Sequence, residues 1–368
     1  MVLAGFMAVS FCVCAASFAY CYAFRPEVSA RANGQVRSLS GIMKTDGFKP
    51  YFCFVMGCLG LSQLLAACAR MGDCVFVLSF GMYVCLTGLI KYDVAFSKRL
   101  HFGFVFGLIA LGYAFCNAVL LCYSGWNLAA CVSYNFFTSV FLLCFLVNAV
   151  LKECLHTLQS YLEIAWVLSL NFMLCVYSFE AAPVAPTENS MLLLHVCLAL
   201  GVAVCALLLG FFYATPGLGY CAQHGVVHCF CWILSMTDPH FSFLLCLVSG
   251  LLALCGAPAE EVGLAVVLLF HVCLLGLLSF DARKDPSVCN AFLTGLVLTS
   301  VLISLFVLKW DNAWNRVGAV VYLSLTGIWI TAAACLWVSR LDMITAINLL
   351  QLAWIGAMVF MFGTYVYS

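Results

Sequence analysis

Charge is what this chain has least of. Only 8% of its 368 residues are Asp, Glu, Lys or Arg, against about 25% in a soluble domain. Acids and bases balance at 15 each, so the net charge is zero. No basic field invites nucleic acid, and no nucleic-acid partner is expected. No long polar stretch separates the apolar runs, which excludes a sizeable soluble domain or a low-complexity tail. A glycine-rich phosphate loop, a Gly-x-Ser-x-Gly elbow and a His-Glu-x-x-His helix are all missing, so no catalytic motif is visible and no cofactor is expected. What the chain has in excess is apolar surface: 66% of its residues are hydrophobic and the mean hydropathy is +1.13. That composition describes an all-α, polytopic membrane protein. The 24 cysteines sit mostly inside apolar runs, as Cys12, Cys14, Cys85, Cys122, Cys205 and Cys273 do. There they act as small, packable hydrophobes rather than as a disulfide framework.

One ten-residue stretch occurs twice. Val84 to Asp93 reads VCLTGLIKYD and Val272 to Asp281 reads VCLLGLLSFD, identical at six of ten positions. The offset of 188 recurs elsewhere: Trp126-Asn127 meets Trp314-Asn315, Tyr134 meets Tyr322, and Ala165-Trp166 meets Ala353-Trp354. With one residue of slip, Pro50, Phe52 and Phe54 meet Pro239, Phe241 and Phe243. Aligned apolar residues arise by chance, but aligned Trp, Asn, Pro and Asp do not, and the pattern reads as a tandem duplication.

Runs of about 20 apolar residues set the expected spans. In the first copy they fall at Val2 to Phe24, Tyr51 to Ala69, Cys74 to Ile90, Leu100 to Cys122, Leu128 to Leu151 and Tyr161 to Phe179. The sequence EAAPVAPTENS at Glu180 to Ser190 reads as a linker. In the second copy the spans fall at Met191 to Tyr213 and near 240–256, 262–279, 289–308, 317–338 and 343–367. The expectation is about twelve membrane helices in two tandem six-helix repeats: a first bundle at 1–180, a linker at 181–190 and a diverged second bundle at 191–368. Every Lys and Arg except Arg70, Lys309 and Arg316 falls after an odd-numbered span. The positive-inside rule then puts those loops in the cytoplasm and both termini across the membrane.

Ionisable groups at membrane depth are functional candidates by default. Glu163 is placed in the first turn of the sixth span, where the helix dipole would also favour an acid. Its partner in the repeat is the neutral isostere Gln351, which points to a site in the first copy alone. His101 stands at the entrance to the fourth span, and its partner is Cys289. Asp93 recurs as Asp281 and reads either as a turn cap or as a third catalytic candidate beside His101 and Glu163. The stretch CAQHGVVHCFC holds Cys221, His224, His228, Cys229 and Cys231. Its spacing matches no zinc pattern, so no metal is expected there, with Cys221, His224, His228 and Cys231 the weak candidates.

Three stretches of the first copy resemble one family. They are Phe24-Arg25-Pro26-Glu27-Val28-Ser29-Ala30 after the first span, His101 with Phe104 and Phe106, and Leu162-Glu163 followed by Val167-Leu168-Ser169 and Asn171. Together they are similar to the DRAM/FRAG-type six-helix membrane proteins, which include factors that remodel GPI-anchor lipids after attachment. The resemblance covers about 1–180. It implies an ER or Golgi protein that handles lipid, by GPI-anchor remodelling or phospholipid binding, with membrane lipid and GPI-anchored proteins as partners. Arg25, Pro26 and Ser29 would then meet the lipid headgroup together with His101, since Arg suits phosphate, while Glu163 would orient a polar linkage from the bundle side. The resemblance also implies a lumenal first loop, opposite to the charge rule. Two other classes stay open: a twelve-helix secondary transporter of a small solute, and a non-catalytic multispan scaffold.

Overall fold

The computed structural model describes residues 2–30, 35–42, 48–68, 73–94, 96–120, 125–150, 155–180, 188–215, 220–221, 226–227, 239–255, 261–280, 284–309, 312–339 and 344–367. The chain divides into two compact units, Met1–Ser190 and Met191–Ser368. Among the described residues, eight helices are long and apolar enough to cross a membrane, which makes this an integral, multi-pass membrane protein. Helix is the expected form, because a backbone in lipid must satisfy its own N–H and C=O groups.

The first unit is a ring of six long helices. They are α1 (Val2–Phe24), α4 (Lys49–Cys68), α5 (Asp73–Lys91), α6 (Lys98–Leu120), α7 (Trp126–Val150) and α8 (His156–Glu180). Each packs on the next, and α8 closes the ring against α1 and α4. Two one-turn helices, α2 (Pro26–Ser29) and α3 (Leu39–Ile42), lie in the loop between α1 and α4. The helix α7 shows how such a sequence chooses its faces. Its buried stripe is Asn127, Ala130, Cys131, Tyr134, Thr138, Phe141, Cys144 and Asn148, a helical repeat of polar and small residues. Val132, Phe136, Leu143, Leu146 and Val150 point outward, as lipid requires. Gly125, with φ at 72°, makes the tight turn that enters α7.

The second unit contains α9 (Glu188–Ala214, which begins just before the boundary), α10 (Pro239–Cys255), α11 (Glu261–Ser279), α12 (Pro286–Val307), α13 (Ala313–Ser339) and α14 (Ile344–Tyr367). Two two-residue strands, β1 (Tyr220–Cys221) and β2 (Val226–Val227), pair antiparallel after α9. Within this unit α11 packs on α12, and α13 on α14.

Residues 188 apart do matching work inside each unit. The rings of Tyr92 and Phe104 stack at 5.7 Å, and those of Phe280 and Phe292 at 5.6 Å. Gly88 lies under Phe104 and Gly276 under Phe292, so close that a Cβ at either would strike the ring. Gly107 abuts the Cys85 sulfur as Gly295 abuts that of Cys273. Tyr134 and Tyr322 are both fully buried. Thr138 donates to the Tyr134 carbonyl at 2.6 Å and Thr326 to that of Tyr322 at 2.8 Å.

Candidate functional site

The interior of the first unit holds a cavity of about 220 Å³. Its walls are mostly apolar, from Phe52, Met56 and Leu64 on α4, Met82 and Tyr83 on α5, Phe141 on α7, and Trp166 and Leu170 on α8. Along α8 the lining runs from His156 to Leu174, roughly 27 Å at 1.5 Å per residue. Along α4 it runs from Phe52 to Leu64, roughly 18 Å. The space is therefore a long slot between helices. Most of its polar groups gather at the end where the loops after α1, α5 and α7 meet: Ser38, His101, His156, Gln159, Ser160 and Glu163; Ser79 on α5 and Asn171 on α8 lie further along it.

His101 lies in the first turn of α6 and is 6% exposed. Its Nδ1 is 2.9 Å from the carbonyl of Tyr92, the residue that follows α5. A carbonyl only accepts, so Nδ1 carries the proton, and in the neutral ring Nε2 is the accepting nitrogen. Glu163, on α8, lines the same cavity. The sixth long helix begins at His156, five residues before the expected Tyr161. Glu163 is thus about 10 Å inside the helix, beyond the first turn over which the N-terminal dipole acts. The helix-end reading of this acid fails for that reason.

Part of the first loop lies across the cavity end as a strap. The backbone N–H of Val36 donates to Thr157 Oγ1 at 3.3 Å, and Ser160 Oγ donates to the Val36 carbonyl at 3.0 Å. Tyr22 Oη donates to the Arg37 carbonyl at 2.8 Å. Ile42, fully buried beside Cys21 and Val28, pins the far end of the strap. Ser38 and Leu39, between these ties, line the cavity.

The remaining sequence candidates sit elsewhere. Asp93 accepts the Phe96 amide through Oδ1 at 2.8 Å and pairs with Lys49 Nζ through Oδ2 at 2.8 Å. It shapes the turn between α5 and α6 and ties it to the start of α4. Arg25 donates from Nε to Glu27, and its guanidinium lies over the Phe48 ring at 5.0 Å. The hydrogen bond from Arg25 holds the Glu27 carboxyl below the usual carboxylate range. Pro26 opens α2 at a position where its missing N–H costs nothing. Ser29 donates to the Arg25 carbonyl at 3.2 Å, and its own carbonyl accepts from the Arg37 amide at 2.7 Å. Arg25 and Ser29 help to build the strap, and neither is among the residues lining the cavity. So the structure joins His101 and Glu163 in one cavity, with Asp93, Arg25 and Ser29 not among the residues that line it.

Of the Cys/His stretch, the backbone of Cys221 falls in β1. His224, His228, Cys229 and Cys231 lie outside the described residues, as does Asp281. Among the described residues no group of three or more His, Cys, Asp or Glu could hold a metal.

Gln159 and Asn148 were not expected at the site. Asn148, near the end of α7, accepts the Leu155 amide through Oδ1 at 2.8 Å and donates from Nδ2 to Gln159 Oε1. The only sequence signal was the run of polar residues before Tyr161, which extends α8 backwards by more than a turn. In the second unit, Gln351 and Asn348 occupy the positions matching Glu163 and Ser160, and both are buried. No family model, curated protein or solved structure matches this chain.

Proposed function

We propose that this is a twelve-span membrane protein made of two tandem six-helix copies, in which the first copy takes a single lipid chain into its interior. The observation that carries the reading is the slot inside the first unit, mostly apolar along its length, with most of its polar groups at one end. That is the shape and polarity of a single-chain amphiphile, and small-molecule sites share this pattern of apolar walls with a few placed polar groups. The matched contacts at Tyr92/Phe104 and Phe280/Phe292 support the two-copy reading. The four shorter apolar helices, Lys49–Leu61, Phe76–Lys91, Pro239–Ala253 and Gly263–Ser279, supply the remaining spans.

In this reading His101 and Glu163 meet the polar end of the lipid. The second copy is a structural half, because Cys289 and Gln351 replace the two ionisable groups. The sequence resemblance adds the narrower proposal: the lipid belongs to a GPI anchor or a related phospholipid in the ER or Golgi, and the protein assists its remodelling. Two experiments separate these levels. The purified full chain should carry a co-purifying lipid that a cavity-filled variant, Leu170→Trp, loses; equal lipid content in both would defeat the reading. In cells lacking the protein, altered acyl chains on GPI anchors would favour the narrower proposal, and unchanged anchors would remove it.

A further inference from the structure

Helices α6 and α7 meet differently at their two ends. Toward the turn at Gly125 the residues between them are small. The thiols of Cys116 and Cys131 each reach the other residue's carbonyl, at 3.5 and 3.8 Å, and Gly112 lies against the Tyr134 hydroxyl. Small side chains let two backbones come close. Toward the other end three rings stand between the helices: Phe102 and Phe106 from α6, and Phe145 from α7. The ring centroids of Phe102 and Phe106 are 6.5 Å apart, those of Phe102 and Phe145 6.1 Å, and those of Phe106 and Phe145 5.9 Å. All three line the cavity. Among the described residues that line it, Phe106 alone is exposed, at 46%. It falls on the outward stripe of α6, with Gly103, Ala110, Ala114 and Asn117. At this seam the wall of the cavity is one side chain thick.

We propose that this seam is a lateral portal, through which a single acyl chain passes between the bilayer and the cavity by parting Phe102, Phe106 and Phe145. Phenylalanine rings part by rotamer changes that break no hydrogen bond, and exposed side chains make such changes within nanoseconds. The strap over the polar end is held instead by hydrogen bonds at Val36 and Arg37. A chain that crosses the seam stays among apolar groups, whereas one that leaves past the strap gives up the burial of every methylene. Lys98, in the first turn of α6, has its ammonium 6.0 Å from the centroid of the Phe102 ring. Lysine near the end of a membrane helix reaches for the surface, so the seam opens about one turn below the headgroup level, where the chain of a lipid begins. This inference rests on the lipid reading above and adds the route to the site.

The test follows entry in time. The full chain is held in phosphatidylcholine nanodiscs and rapidly mixed with palmitoyl glycerol that carries a diazirine at its chain terminus. Light pulses at set delays fix the probe, and label on the α8 peptide that contains Leu170 measures the entry rate. Phe106→Ala and Phe145→Ala should each raise that rate about tenfold, through the loss of two ring contacts. Phe106→Leu, a milder change, should raise it less. Two controls should leave the rate unchanged. One is Phe136→Ala, on the outward face of α7 and not among the lining residues. The other is Tyr22→Phe combined with Thr157→Val, which removes two ties of the strap. An unchanged rate in the phenylalanine variants overturns the inference; if the strap variant is then the faster one, the entrance lies at the strap and the lipid reading stands. Equal acceleration by Phe136→Ala also overturns it, because the effect is then a general loosening of the bundle. An α8 peptide that stays unlabelled at every delay defeats the lipid reading itself.

Discussion

His101 is tied to Tyr92 by one hydrogen bond, Nδ1–H to carbonyl at 2.9 Å. In the second unit, 188 residues on, the thiol of Cys289 reaches the carbonyl of Phe280 at 3.4 Å. The same carbonyl at the end of the third long helix of each unit is satisfied by the same turn of the fourth, by an imidazole in one and a thiol in the other. The bond is therefore structural, and the rest of the imidazole is what the first unit adds.

This gives a substitution that separates the two roles. His101→Cys installs the second unit's own solution. It should keep stability within about 1.5 kcal/mol, the range for one net hydrogen bond, as read by thermal unfolding of the purified chain. Lipid co-purification with the full chain should fall. A His101→Cys protein that keeps its full lipid content would show that the ring is not part of the site.

The acid and its neutral counterpart should behave differently. Glu163→Gln keeps shape and removes charge, and it should reduce lipid co-purification with little change in stability. Gln351 is 5% exposed, so Gln351→Glu buries a carboxyl in an interior position. It should lower stability, by about 3 kcal/mol if the group ionises there, without creating a second lipid site. Equal effects of both changes on lipid content would place the site in both units.

A tyrosine pair gives a packing prediction. Gly112 lies under the Tyr134 hydroxyl, where an added Cβ would collide with it. Its counterpart Ser300 sits against the Tyr322 hydroxyl and donates to the Leu296 carbonyl at 2.6 Å. Gly112→Ala should cost about 1–3 kcal/mol through overpacking, and Ser300→Ala about 1 kcal/mol through a lost hydrogen bond. Thermal unfolding of the two variants, compared side by side, checks the order.

Asp93 makes two bonds of unequal weight. Its pair with Lys49 involves a lysine side chain that is 47% exposed, and such pairs contribute about 1 kcal/mol or less. The bond to the Phe96 amide fixes the turn. Asp93→Asn keeps an oxygen for that amide and should be nearly neutral, whereas Asp93→Ala loses both bonds and should cost about 1–2 kcal/mol. Lipid co-purification should survive in both variants, since Asp93 is not among the residues lining the cavity.

Much of the fold was legible because lipid imposes a simple rule on sequence. The first helix, read at Val2 to Phe24, has those bounds. The fourth and fifth long helices each begin two residues earlier than their apolar runs and end within two residues of them. The sixth was misplaced at its start, because His156, Thr157, Gln159 and Ser160 are polar and yet helical: the strap bonds Thr157 and Ser160, and Asn148 bonds Gln159. That tertiary support leaves no mark on local hydropathy. His101 and Glu163 stood out as ionisable residues in apolar sequence, but Gln159 did not. Its role depends on an orientation fixed through Asn148 by one backbone amide, Leu155.

The most direct test of the lipid account is where an acyl chain touches the protein in a bilayer. A diazirine at the chain terminus of palmitoyl glycerol, activated in membranes containing the full chain, would be mapped to residues. The account predicts labels on inward residues deep in the slot, such as Leu64, Leu170 and Leu174, that disappear in Leu170→Trp. Labels confined to outward residues such as Phe136, Leu143 and Leu146, unchanged in that variant, would mean that the lipid only surrounds the protein, and would contradict it.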